Sequence, residues 1–161
     1  MINPVAIFGP LLGNDLSTSL LILQRLLDGR MKAAPRIYFT AVDVRDVADL
    51  HIKAMTDPQA AGERFLACTG PSMSIISIAR MLKGSLGEKA GKMPGRELPD
   101  WLVRLAGTFN KEMKPFLSEL GKIKQISNEK AKRVLGWRPR SHDEAILSSI
   151  DSILKLREDK N

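Results

Sequence analysis

Few side chains in this sequence are of kinds that do chemistry, and their spacing narrows what they could do. Asp43, Asp46 and Asp49 recur every third residue, which sets three carboxylates along one side of a helix. Neighbouring carboxylates can share general acid and base work. The plainer reading is that Asp43 caps the first helical turn, Asp46 adds negative charge to the same positive end, and the carboxylates are otherwise solvated. Arg45, between them, suits either an anionic substrate group or a local ion pair. His51 falls on the apolar face of the same stretch and reads as a packed residue rather than a base. His142 belongs to a helix cap, and two histidines so far apart, with no cysteine or carboxylate cluster beside them, have no metal-ligand spacing. Cys68, the one cysteine, lies in the strand-like run 64–68 and reads as a small buried hydrophobe. Ser17, Thr18 and Ser19 open a helix, where hydroxyls and orphan N–H groups either cap the chain or hold an anion.

These residues need elements to position them. The run 36–40 is β-branched and aromatic, hence a strand. Apolar spacing at Val44, Val47, Ala48, His51 and Met55 predicts a helix with that face buried, ended by Asp57-Pro58. The run from Ile2 to Phe8 is continuously apolar and closed by Gly9-Pro10, as for a strand buried on both faces of a parallel sheet. Asp15 or Ser17 opens a helix to about residue 28, with Leu20, Leu23, Leu26 and Leu27 inward. A second parallel strand covers 63–68 and is broken by Gly70-Pro71-Ser72. Ser72 or Ser74 then starts a helix carrying Ile75, Ile78, Ala79 and Leu82 on one face. Short strands are expected at 96–98 and 124–126. Pro99 opens a further helix that Pro115 should break or kink. Ser127 caps a brief helix ending before Gly136, and Ser141 with Glu144 forms a capping box for a last helix running to about Leu156. The fold class is therefore α/β, with two parallel strands of a doubly wound sheet and a mostly helical C-terminal lobe with short strands. The whole of 1–161 is read as one domain.

Composition bounds the function. A chain of 161 residues with 43% hydrophobic and 27% charged residues supports a real core. No apolar run approaches a membrane span and no signal peptide is indicated, so a cytoplasmic protein without a membrane partner is expected. The net charge is +7, yet the densest basic run, 122–140, carries only Trp137 as an aromatic, and no helix-turn-helix or zinc spacing appears. A solvated basic face, and no nucleic-acid partner, is the reading taken.

The stretch Val42-Asp43-Val44-Arg45-Asp46-Val47-Ala48 with His51 resembles a signature of the extended short-chain dehydrogenase/reductases, in the branch of dihydroflavonol and cinnamoyl or aldehyde reductases within the NAD-dependent epimerase/dehydratase superfamily. Asn3 to Pro10 is similar to that family's sixth-strand motif, Gly62 to Leu66 to its next strand, and Leu135-Gly136-Trp137-Arg138-Pro139 to its near-terminal signature. The resemblance covers nearly the whole chain. It implies the substrate-lobe portion of an enzyme that reduces a ketone or aldehyde with NADP or NAD. It places Pro4 and Val5 at the nicotinamide and Ser19 near the cofactor phosphates. It also places Leu11, Leu12 and Leu16, with Arg45, on the substrate side.

The family's Gly-rich phosphate loop and its Tyr-x-x-x-Lys have no counterpart here. Tyr38 is the single tyrosine, and Val42 stands four residues on. Gly84 and Gly87 follow a helical pattern rather than a strand, and so read as helix-ending glycines. The N-terminal dinucleotide-binding half is thus expected to be absent, and the chain alone to bind no cofactor and catalyse nothing. A short non-catalytic binding or regulatory protein of the same fold is the alternative. Without a neighbouring strand, the Pro4–Phe8 edge is expected to make a homo-oligomer.

Overall fold

A computed structural model describes residues 1–13, 17–109 and 117–159. The chain forms two compact units, one of residues 1–21, 40–71 and 125–161, the other of residues 22–39 and 72–124.

In the first unit the opening apolar run makes two short strands, β1 (Ile2–Pro4) and β2 (Ala6–Phe8), split at Val5. The chain then enters helix α1 (Thr18–Leu27), strand β3 (Tyr38–Asp43) and helix α2 (Val44–Thr56). Strand β4 (Phe65–Ala67) pairs in parallel with β1, Asn3 opposite Leu66, and β2 pairs in parallel with β3, Phe8 opposite Asp43. The expected parallel strands are present, but the first is not buried on both faces: Pro4 is exposed and only Phe8 of residues 2–8 is fully buried. Contrary to expectation, Gly70-Pro71-Ser72 does not end the extended chain: a further strand, β5 (Thr69–Ser74), flanks β3 on the side away from β2. Gly70 takes a φ of +62°, so the break in the sequence is a bend within extended backbone.

Helix α3 (Ile75–Leu86) starts at Ser74, whose hydroxyl accepts from Ser77 N–H, and buries Ile75, Ile76, Ile78, Ala79 and Leu82. Pro99 precedes α4 (Asp100–Phe109) as expected, while the predicted break at Pro115 lies outside the described residues. Residues 96–98 form only an isolated bridge, Ala34 to Glu97, and 124–126 form no strand. Neither short run has the flanking ladder partners that would turn extended chain into a strand.

Helix α5 (Glu129–Leu135) stops at Gly136, which takes the left-handed conformation at φ +58°. Helix α6 (His142–Glu158) begins at Ser141 as expected, its Oγ accepting from Glu144 N–H, while the Glu144 carboxylate, expected to reach back to the cap, lies 3.3 Å from the Arg140 guanidinium. Its Ile146, Ile150 and Ile153 are buried. The Leu-Gly-Trp signature now has a physical meaning. Gly136 reverses the chain so that Trp137 drops into a core of Val42, Val47, Leu50, Phe65, Ala67 and Leu135, with none of its surface exposed. Its indole N–H donates to the Asp46 carbonyl at 3.0 Å, which satisfies the one polar atom it buries.

Helix α2 presents a different face from the one its apolar spacing suggests. Asp46, Val47 and Leu50 are buried, whereas Val44, Ala48, His51 and Met55 are exposed. His51 is therefore not a core residue. Its Nδ1 pairs with the Val47 carbonyl one turn back.

Candidate functional site

The carboxyl ends of β2 and β3 lie side by side, the place where open parallel sheets take ligands. A small cavity opens there, lined by Phe8, Leu11, Leu12, Ser17, Leu20 and Val44 among others. Gly9 makes its turn possible: φ is +123°, and a Cβ there would stand 2.8 Å from Val44 Cγ1 and 3.1 Å from Asp43 Oδ1. Only glycine lets the loop pass this close to the start of α2.

The loop is fastened from the far end of the sequence. Ser149 of α6 accepts from Gly9 N–H at 2.7 Å, and its hydroxyl lies 3.0 Å from the Gly9 carbonyl. Ser152 accepts from Leu11 N–H at 3.2 Å. Neither serine stood out in the sequence. The available signal was serine in a helix interior, where it is a weak helix former and calls for another role.

Beside the loop, Asp43 is fully buried and caps α2, accepting from Arg45 N–H at 2.8 Å. The Arg45 guanidinium donates to both carboxylate oxygens, at 2.9 and 2.7 Å. Burial pushes the Asp43 carboxyl up, but the Arg45 hydrogen bonds and the Arg45 and Arg140 charges outweigh it and hold the group below the usual carboxylate range. The hydrogen bond to Asp43 raises the Arg45 guanidinium in turn. Asp46, read as solvated, is buried instead. It accepts from Arg140 N–H at 2.7 Å and pairs with the Arg140 guanidinium, which also reaches Glu144 at 3.3 Å. Asp49 is exposed, as read.

The candidate residues separate into two groups. Leu11 and Leu12 line the cavity, and Arg45 lies on the adjoining residue to Val44, held by Asp43. Leu16 lies outside the described residues. Pro4 is exposed at the end of β1, Val5 N–H donates to the Ala67 carbonyl at 3.2 Å, and half-buried Ser19 sits in the first turn of α1. None of these three lines the cavity, whereas Ser17 does. Cys68 is buried, and burial raises its thiol. Among the described residues no cluster of His, Cys, Asp or Glu could hold a metal, and no helix is long and apolar enough to cross a membrane.

A dinucleotide does not fit this cavity by itself. Its volume of about 140 Å³ is below the roughly 300–1,000 Å³ of ligand pockets. Apart from the Ser17 hydroxyl its described lining side chains are apolar, so among the described residues no cation lines it to meet a pyrophosphate.

No family model matches the chain. Individual relatives do. A ketoreductase of Aspergillus niger is 30% identical over 162 aligned positions, which cover 96% of this chain and 43% of that protein. A cinnamoyl-CoA reductase of Arabidopsis thaliana is 29% identical over 80% of this chain and 35% of its own length. The solved structure of a yeast methylglyoxal/isovaleraldehyde reductase in complex with NADPH superposes with a TM-score of 0.70 at 22% identity, over 98% of this chain and 43% of that one. The chain thus spans less than half the length of the relatives it matches. The parallel strands and their helices define an α/β protein of the Rossmann-like kind. More narrowly, the chain is homologous to a portion of the extended short-chain dehydrogenase/reductases of the NAD-dependent epimerase/dehydratase superfamily, and its relatives include reductases.

Proposed function

We propose that this chain is the C-terminal, substrate-lobe portion of an NAD(P)-dependent reductase acting on a small ketone or aldehyde. The observation that carries the reading is the cavity at the carboxyl ends of β2 and β3, walled by Leu11 and Leu12 and braced by Ser149 and Ser152. Such a wall suits the apolar part of a carbonyl substrate. Arg45, next in sequence to the lining residue Val44, and Leu16, outside the described residues, are proposed as further substrate-side positions. Pro4, Val5 and Ser19 are the positions proposed to meet NADP or NAD, and only together with a phosphate-binding loop supplied by further sequence. The name of one relative, a ketoreductase, supports a ketone, and that of another, a cinnamoyl-CoA reductase, supports reduction at a carbonyl carbon more broadly.

Alone, the chain is proposed to be silent. Its one tyrosine has Val42 rather than lysine four residues on, so no tyrosine–lysine pair delivers the proton that a carbonyl reduction needs. Incubation with NADPH and a panel of aldehydes and ketones is expected to give no oxidation above background. A rate that survives repurification and disappears in a point variant of this chain would overturn that. Calorimetry is expected to show no NADPH binding in the micromolar range; such binding, lost in Ser19→Ala, would show a competent half-site. The reading frame upstream of Met1 should encode a Gly-rich loop and a Tyr-x-x-x-Lys. A frame without them would favour the second reading, a non-catalytic binding or regulatory protein on the same fold.

A further inference from the structure

A second cleft of the first unit, which shares no lining residue with the first, lies between the start of β5 and the segment running through α5 to Pro139. It is far roomier than the cavity at the strand ends, at about 500 Å³. Thr69, Asn128, Lys132, Gly136 and Arg138 line it. Thr69 is 8% exposed, and among the described residues its hydroxyl has no hydrogen-bond partner. A buried hydroxyl left unpaired is costly, and native folds rarely tolerate one without a use. The other buried side-chain polar atom without a partner among the described residues is His142 Nε2. It adjoins the same place: a Cβ at Gly70 would stand 2.7 Å from it. Two unpaired polar atoms therefore flank one bend of chain at the edge of one cleft.

The cleft is also cationic. The left-handed turn at Gly136 folds Arg138 back toward the helix that carries Lys132, so both line the same space. Arg138 forms no ion pair among the described residues. Among the described residues Lys132 pairs only with Glu129, at 3.0 Å on an exposed helix surface, a contact worth little. Asn128 is buried and committed, its amide donating to the Cys68 carbonyl at 2.7 Å, which holds the segment beside Thr69. The groups on offer are thus two cations and a hydroxyl, donors that ask for a ligand rich in acceptors and negatively charged.

We propose that this cleft binds a phosphate-type oxyanion, either inorganic phosphate or a phosphomonoester. Lys132 and Arg138 supply the charge, and the Thr69 hydroxyl donates to a ligand oxygen. The test is calorimetry or phosphorus NMR on the full chain with inorganic phosphate, ionic strength being held constant with chloride. Saturable one-site binding is expected, weakened about tenfold or more by Arg138→Gln and by Thr69→Val, as loss of one charge-assisted or buried hydrogen bond implies. Arg133→Gln, an exposed cation on the same helix that does not line the cleft, should leave binding unchanged. Absence of saturable binding up to about 10 mM would overturn the proposal, given how weak an affinity that concentration already reaches. Equal weakening by Arg133→Gln and Arg138→Gln would also overturn it, since that marks general charge attraction. If Thr69→Val fails to fold, the two arginine variants decide the matter alone. Methyl phosphate distinguishes the sources: binding as tight as phosphate marks a phosphomonoester site, and loss of binding marks one for the free ion.

Discussion

Asp43 shows how one buried carboxylate organises a site. It caps α2, pins Arg45 and faces Gly9 across the loop. Its folded-state pKa lies below the unfolded value, so its contribution to stability is present above the unfolded pKa and is lost as pH falls through the folded one. Chemical denaturation near pH 7 and again near pH 3, below the unfolded value of about 3.9, should therefore show Asp43→Asn costing much at neutral pH and less in acid. A cost independent of pH would mean that the charge is irrelevant. Ser149 is the second decisive residue. Ser149→Ala leaves the buried Gly9 N–H without its acceptor and should cost roughly 1–3 kcal/mol. Ser152→Ala, whose bond is longer and only partly buried, should cost less. Equal losses would show that the serines matter only as helix residues.

At the scale of elements, the helix α2 and the Leu-Gly-Trp turn stabilise each other. Trp137 seals the face of α2 that holds Val47 and Leu50, and Arg140 reaches Asp46 from just beyond it. Trp137→Ala should destabilise the fold by roughly 3–5 kcal/mol, read from urea midpoints, because the residue is large and fully buried. His51→Asn should stay within about 0.5 kcal/mol of the parent, since the residue is exposed and, among the described residues, its ring bonds within its own helix. A large loss there would restore the core role that the apolar spacing suggested.

For the molecule as a whole, the open question is what β1 and β2 pair with. Within the described residues β1 is hydrogen-bonded to β4 alone and β2 to β3 alone. A strand run paired on one side at each point offers N–H and C=O groups to another strand. We propose that the Pro4–Phe8 edge supports a homo-oligomer. Pro4 gives that edge one donor fewer, which favours a weak, concentration-dependent association. Light scattering across a concentration series checks it, and a monomer at every concentration would end the idea.

Much of this was legible in the residues. The caps at Ser74 and Ser141, the stops at Gly87 and Gly136 and the strand–helix order follow from local backbone chemistry, which acts within a few residues of itself; Gly84, expected to end a helix, lies inside α3 instead, and Asn128 rather than Ser127 stands at the start of α5. The likeness to reductases was legible in four short motifs, because they encode turns and core positions that one fold requires. The orientation of α2 was not. Val44, Val47, Ala48, His51 and Met55 make an apolar stripe, yet of these only Val47 is buried, and it faces inward with Asp46 and Leu50. A buried carboxylate is tolerable only when a cation arrives to meet it, and Arg140 lies 94 residues away. The same holds for the loop at Gly9, whose hydrogen bonds come from serines about 140 residues later. The unpaired hydroxyl of Thr69 likewise became visible only once α5 and its turn were laid beside it. Local pattern fixes what each segment prefers to be. Which of its faces is buried, and which polar groups find partners, depends on distant chain that only the folded structure brings near.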